Sequence, residues 1–307
     1  MNILIVCSGN SGGIVPFISD QMQDLLSLGL EIEVFKIKGK GIKGYLSNLN
    51  SLNNKIYEYQ PQIVHAHYGL SGLLANLQNK VPVVTSYHGS DTHYFLNRFF
   101  SFFTAQLSSK NIFVNNKQPK KIFQNKNKSH IIPCGVNLDV FHPIPKHVAK
   151  KSLNLALNKK YILFSSNFTN QVKNYNLAKE SMKKIDAELI ELKGYTRKEV
   201  TLLLNASESL ILTSYKEGSP QIVKEAMACN TPVVSTNVGD VKWLLNDLVG
   251  HYISRYNPKD FAEKIKSAIQ FSKINNKTKG RERIKEIGLD SMIVAKRILK
   301  IYRSILK

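Results

Sequence analysis

The sequence predicts an α/β protein of two doubly wound parallel sheets facing one another across a cleft, with a closing C-terminal helix. Three observations predict it. Short apolar runs alternate with amphipathic stretches, the pattern of parallel strands covered by helices on both faces. The alternation halts at a segment punctuated by Pro133, Pro143 and Pro145, then starts again. The two halves also echo each other. Val81-Pro82-Val83-Val84-Thr85-Ser86 precedes His88-Gly89-Ser90-Asp91, and Thr231-Pro232-Val233-Val234-Ser235-Thr236 precedes Val238-Gly239-Asp240.

Each element follows in order. Residues 2–7 are an apolar strand, followed by a Gly-rich loop and an amphipathic helical stretch over 14–28. Residues 31–37 alternate with period two, and 63–67, 81–86, 112–115 and 130–132 are further short strands. Helical stretches fall near 70–78, 93–108 and 117–124, which completes a first domain over 1–145. A second domain over 146–289 begins with the apolar run 161–166 and continues through strands at 188–192, 209–213, 232–236 and 251–253. Residues 290–307 carry apolar side chains at 293, 294, 298, 301, 302, 305 and 306. That is helical spacing on a basic segment, expected to pack back on the first domain.

Composition narrows the partners. With 43% hydrophobic residues in 307, the chain can bury sizeable cores and is not disordered. Cys7, Cys134 and Cys229 form no Cys-x-x-Cys, so neither a disulfide framework nor a zinc knuckle is expected, and a reducing, cytoplasmic setting is. The start lacks a basic region before its apolar run, so no secretory signal is expected. No apolar run approaches the ~18 residues of a membrane span. The net charge is +21, which invites nucleic acid, an anionic membrane surface or a phosphate-bearing small molecule. The bland alternative is a lysine-rich composition, with 36 Lys against 7 Arg. A nucleic-acid module would need a recognisable motif beside the charge, and none is present.

The most informative segment runs from Ser214 to Cys229. Ser219 is a good N-cap, and Pro220 suits the first helical position because its missing N–H would be unpaired there. The N–H groups of Gln221, Ile222 and Val223 would then lie free at a helix N-terminus, which attracts phosphate or a sugar hydroxyl. Ile222, Val223, Ala226 and Met227 form one apolar face. At ~100° per residue Glu225 falls about 130° from its centre, on the cleft side. Glu217 precedes the helix. Two carboxylates flanking a phosphate cradle suit a nucleotide sugar, one acceptor for the ribose and one for the hexose.

Glu217 and Glu225, with seven residues between them, match the Glu-x7-Glu motif of retaining family 4 glycosyltransferases of the GT-B fold. The resemblance extends to His65-Ala66-His67-Tyr68, Tyr87-His88-Gly89-Ser90-Asp91, Ile132-Pro133-Cys134-Gly135-Val136-Asn137-Leu138-Asp139-Val140-Phe141 and Glu225-Ala226-Met227-Ala228-Cys229-Asn230-Thr231-Pro232-Val233-Val234, in the family's order. It implies two Rossmann-like domains and transfer of a sugar, with retention, from a nucleotide diphosphate sugar to a sugar or lipid-linked acceptor. Bacterial surface polysaccharide assembly is the implied setting, with no cofactor beyond the co-substrate. By the same resemblance Glu225 binds the ribose hydroxyls, and Glu217 holds the transferred sugar with the N–H groups after Gly218. Lys173 takes the diphosphate, His88 reaches the donor sugar, and Gly12 and Gly13 form the first strand–helix loop. No Asp-x-Asp occurs in the chain. Lys173 and the helix N-terminus would stabilise the departing diphosphate, so no divalent metal is expected.

The family's Gly-Arg before the lysine is absent, and Asn167 stands where the arginine would be. Val6-Cys7-Ser8-Gly9-Asn10 resembles the start of a low-molecular-weight phosphatase loop, but position 13 is Gly13 rather than the arginine of Cys-x5-Arg. Cys7 is therefore read as a small strand-end residue. A GT-B nucleotide-sugar 2-epimerase is the enzyme rival, and a basic binding module the non-catalytic one. His65 and His67 share a strand face and are read as packed and hydrogen-bonded rather than metal-binding. Phe95, Phe99, Phe100, Phe102 and Phe103 surround much of a helix and are read as core. Lys117, Lys120, Lys121, Lys126 and Lys128 form a cluster that could contact an anionic membrane.

Overall fold

The computed structural model describes residues 1–10, 12–122, 127–275 and 277–306; the side chains of His93 and Lys121 are not among them. The chain divides into two compact units, Met1–Gly135 with Ser291–Lys307, and Val136–Asp290.

The first unit holds a six-stranded sheet of β1 (Asn2–Ser8), β2 (Glu31–Ile37), β3 (Ile63–His67), β4 (Val83–Tyr87), β5 (Lys110–Phe113) and β6 (Ser129–Ile131), in the order β2-β1-β3-β4-β5-β6. The second holds β7 (Tyr161–Phe164), β8 (Glu188–Glu191), β9 (Ser209–Leu212), β10 (Val233–Thr236) and β11 (His251–Ser254), in the order β11-β10-β9-β7-β8. Every strand pair is parallel. Ile3 lies between Ile32 and Ile63, and Ile162 between Leu189 and Ser209, so β1 and β7 are hydrogen-bonded along both edges. Helices on both faces of such sheets explain why β1, β7 and β9 read as near-continuous apolar runs. Leu4, Val6, Leu52, Ile56, Val64 and Leu74 build one core, and Ile162, Phe164, Ile211, Val234, Phe261 and Ile265 another. Strand order reverses between β1 and β3 in the first unit and between β7 and β9 in the second. Open α/β sheets bind ligands at the carboxyl ends of strands flanking such switch points.

Two expectations need correction, and one stretch of helix is new. The domain boundary falls at 135/136 rather than 145/146, because the intervening residues are tied to the second unit. Arg281 donates to the carbonyls of Phe141 at 2.7 Å and Leu138 at 2.9 Å, and Asn205 bridges His142 and Ile144. The helices Gly41–Leu46 and Leu49–Tyr59 lie between β2 and β3, where the sequence pattern predicts no element. The helix Phe95–Leu107 buries Ser101, Thr104 and Ala105 and leaves Phe95, Phe99, Phe102 and Phe103 exposed, the reverse of a core reading. Its neighbour explains this. A Cβ on Gly69 would stand 2.1 Å from Ser101 Oγ, and one on Gly72 2.5 Å from Thr104 Cγ2, so only small side chains fit at that crossing.

The closing helix Ser291–Ile305 belongs to the first unit, where it packs beside Pro16–Ser27. Its Tyr302, fully buried, shares a 2.5 Å hydrogen bond with His65 Nδ1.

Candidate functional site

In the second unit, the candidate residues follow β7 and β9, the strands that flank its switch point. Asn170 caps the short turn Gln171–Lys173 by accepting from Val172 N–H. Thr213, just past β9, donates to the Lys173 carbonyl at 2.6 Å, and Tyr215 N–H donates to the Val172 carbonyl at 3.0 Å. These bonds stitch the two loops together and bring Lys173 Nζ to within 2.6 Å of Glu217 Oε1. Ser214 Oγ donates to the same oxygen at 2.7 Å. Both charged side chains are mostly covered, at 19% and 14% exposure. Gly239 approaches from the loop after β10 with φ +56°, and a Cβ there would lie 2.5 Å from the Gly218 carbonyl. A glycine is required on both counts.

The helix after this loop spans Gln221–Ala228, and two local expectations change. Pro220, not Ser219, is its N-cap; at φ −67° and ψ 114° it is extended rather than helical. Ser219 therefore sits one residue too early to cap, and its buried Oγ has no hydrogen-bond partner. Val223 N–H is not free either, since it donates to the Pro220 carbonyl at 3.2 Å. The apolar face formed by Ile222, Val223, Ala226 and Met227 is buried as the spacing predicts.

Glu225 does not lie on an open side of this helix. It is 3% exposed, and its Oε1 accepts from Arg197 at 2.6 Å. The Arg197 guanidinium stacks over the Phe141 ring, 4.6 Å from its centroid. Asn167 supplies no charge; its Oδ1 accepts from Thr169 Oγ1 at 3.1 Å within its own turn. The arginine of this site therefore comes from a different element, and sequence reasoning missed it. A signal existed. Thr196 and Glu199 form a capping box that opens the helix Arg197–Ala206. An arginine in a helix first turn opposes the macrodipole, so its charge has to be satisfied elsewhere.

In the first unit, His88 follows β4. Its Nε2 shares a 3.0 Å hydrogen bond with His67 Nδ1, and its Nδ1 lies 3.7 Å from Cys134 Sγ. The rings of Phe17 and Tyr68 flank it at 4.8 and 4.9 Å. Asp91 braces the loop by accepting from the N–H groups of His88 and Gly69, each at 2.7 Å. Tyr68 holds φ 75°, an uncommon backbone for a residue with a side chain, at the end of β3 beside this ring. His65 uses both ring nitrogens in hydrogen bonds, to Tyr302 and Ser86. Burial pushes the His67 imidazole down to about 3, and burial together with neighbouring His67 and His88 holds His65 well below the usual range. The His67 ring stacks on both His65 and His88, with centroids 4.6 and 5.2 Å away. Gly12, at φ +80°, and Gly13 have no atom within 4 Å of an added Cβ, so the loop after β1 is open. Cys7 is buried in β1, and burial raises its thiol, which does not suit a nucleophile.

The family model described as Glycosyl transferases group 1 matches residues 188–288, which include Arg197, Glu217 and Glu225; that described as Glycosyltransferase Family 4 matches residues 20–140, which include the histidine cluster. This chain belongs to the family 4-like glycosyltransferases of the GT-B type. An uncharacterized glycosyltransferase of Methanocaldococcus jannaschii is 26% identical over 87% of this chain and 82% of its own length. The N,N'-diacetylbacillosaminyl-diphospho-undecaprenol alpha-1,3-N-acetylgalactosaminyltransferase of Campylobacter jejuni is 27% identical over 56% of this chain, which spans about half (53%) of that enzyme. The solved structure of Anabaena HepE in complex with UDP-glucose shares the fold at TM-score 0.78 and 14% identity, covering 99% of this chain and 100% of HepE.

Proposed function

We propose that this glycosyltransferase moves a sugar from a nucleotide diphosphate sugar to a hydroxyl of a sugar or lipid-linked acceptor, with retention, in bacterial surface polysaccharide assembly. One observation carries the reading. Both carboxylates of Glu-x7-Glu stand after β9 beside a switch point, and each is held by a cation at 2.6 Å. In this reading the incoming diphosphate draws the Lys173 ammonium from Glu217 and releases that carboxylate to the hydroxyls of the transferred sugar. Glu225, oriented by Arg197, accepts from the ribose hydroxyls. Gly218, Ser219 and the first helical turn at Gln221 and Ile222 offer backbone donors. Val223 supports that turn through its bond to Pro220. Gly12 and Gly13 leave room for the ligand, and His88 meets the donor sugar from its bracketed position. Asn167 shapes the turn that carries Lys173 and does not replace an arginine.

Charge developing on the leaving diphosphate would meet Lys173 and the helix N-terminus, donors that need no divalent metal and no cofactor. A nucleotide sugar bound by HepE and an undecaprenol-linked substrate in the name of the Campylobacter relative support this donor and acceptor class. Among the described residues no helix is long and apolar enough to cross a membrane, and a cytoplasmic enzyme working at the inner membrane face is the proposed setting.

A thermal-shift screen against UDP-, GDP-, ADP- and dTDP-sugars tests the donor. A ligand at 100 times its Kd stabilises the fold by about 2.7 kcal/mol. A shift with one nucleotide class is expected, and none with any class would overturn the reading. Conversion of the donor sugar without acceptor would assign a 2-epimerase instead.

A further inference from the structure

The helix Phe95–Leu107 is amphipathic the wrong way round. Its inward face is small and polar: Ser101 Oγ donates to the Asp91 carbonyl at 3.2 Å, and Thr104 Oγ1 to the Gly69 carbonyl at 2.9 Å. The Gly69 and Gly72 contacts leave no room there for anything larger. Its outward face carries Phe95, Leu96, Phe99, Phe102, Phe103 and Leu107, each between 44% and 73% exposed. At ~100° per residue these six fall within an arc of about 140°. The rings of Phe99, Phe102 and Phe103 already pack edge to face on one another. A contiguous apolar patch of this kind on a water-facing surface marks an interaction site.

Charge names the occupant. Between Asp91, which is buried, and Asp139 the sequence holds no Asp or Glu, but it holds Arg98, Lys110, Lys117, Lys120, Lys121, Lys126 and Lys128. Lys126 lies outside the described residues, and so does the side chain of Lys121. Arg98 stands 5.9 Å from the centroid of the Phe95 ring on the helix itself. Lys128 Nζ donates to the Gln106 carbonyl at 3.1 Å, which places its ammonium near the helix C-terminus. Lys117 and Lys120 are exposed on the helix Lys117–Ile122, which packs alongside. An aromatic face rimmed by cations and free of carboxylates fits the boundary between anionic headgroups and acyl chains. A second copy of this chain, itself at +21, would set like charges against one another.

We propose that the face of Phe95, Phe99, Phe102 and Phe103 inserts into an anionic lipid surface, with Arg98, Lys117, Lys120 and Lys128 on the headgroups. Insertion, rather than charge alone, holds the enzyme there. The proposal rests on the lipid-linked acceptor for its purpose, but vesicle binding is measured without donor or acceptor, so failure of one is distinguishable from failure of the other. Flotation with vesicles of phosphatidylcholine containing one-third phosphatidylglycerol is the test. The wild-type chain should float, and Phe99→Ser with Phe103→Ser should lower the bound fraction at least tenfold with an unchanged circular dichroism spectrum. Lys117→Glu with Lys120→Glu should weaken binding to the anionic vesicles severalfold, whereas 0.5 M salt should leave a residual that the serine variant lacks. Phe99→Trp gives a second readout that needs no loss of function: its fluorescence should shift to the blue and be quenched by brominated lipid. Equal flotation of wild type and serine variant, or no blue shift and no quenching, would overturn the proposal. So would a concentration-dependent dimer in sedimentation that the serine variant abolishes, which would make a second copy the occupant.

Discussion

Replacing Arg197 with alanine isolates the buried half of the site. Glu225 is 4% exposed at its side chain and Arg197 30%, so the substitution leaves a carboxylate covered by protein with its cation gone. Breaking a fully buried pair from one side costs about 3–5 kcal/mol. Arg197 is one-third open to water, which can replace part of the lost donation, and this brings the figure to about 2–3 kcal/mol including the stacking on Phe141. Trp243, the only tryptophan in the sequence, lies in the same unit, so its fluorescence in urea follows that unit's unfolding. With a slope near 2 kcal/mol per molar urea, the midpoint should fall by about 1–1.5 M. Glu225→Gln should cost less, because Arg197 can turn to solvent. In the double variant most of the arginine penalty should vanish, a coupling of at least about 1 kcal/mol. A midpoint unchanged by Arg197→Ala, or strictly additive single effects, would refute the argument that this pair is an energetic unit.

Other perturbations address the remaining parts. Glu217→Gln should lower kcat by at least about tenfold with little change in nucleotide affinity, since its contacts to the transferred sugar strengthen toward the transition state; steady-state kinetics beside calorimetry separates the two, and a loss confined to KM would contradict the role. Full transfer activity should persist in EDTA, and a strict Mg²⁺ or Mn²⁺ requirement would contradict the assignment of leaving-group stabilisation to Lys173 and the helix end. Acid should destabilise the first unit. The unfolded imidazole titrates near 6.5 and His67 in the fold at about 3, so the unfolded chain binds more protons as pH falls from 6.5. At pH 4.5 His67 alone removes about 2–3 kcal/mol, to which His65 adds in the same direction. Circular dichroism in urea at pH 7 and pH 4.5 reads this out, and coincident midpoints would contradict it.

Most of the fold is legible because parallel strands covered on both faces are largely apolar, and β1, β7 and β9 announce themselves that way. The Glu-x7-Glu spacing is legible because both residues lie on one short loop–helix unit. What escapes sequence reading depends on distant partners. Glu225 looks solvent-facing from its helix phase, and only the fold brings Arg197, 28 residues away, over it. The Phe95–Leu107 helix has a clear period, but periodicity cannot say which face turns inward. Gly69 and Gly72 on another helix decide that by admitting only Ser101 and Thr104. Ser219 illustrates a one-residue margin, since the ring of Pro220 takes the capping position and the serine hydroxyl is left outside the helix.

The central claim is that the pairs Lys173–Glu217 and Arg197–Glu225 hold a nucleotide diphosphate sugar. Calorimetric titration of the nucleotide sugar selected by thermal shift, into wild type, Lys173→Ala and Glu225→Gln, tests it most directly. One site should be found on the wild-type chain, with affinity at least about tenfold weaker in each variant, the loss from Lys173→Ala appearing also with the bare nucleoside diphosphate but not with the nucleoside. Equal dissociation constants for all three proteins would contradict the account.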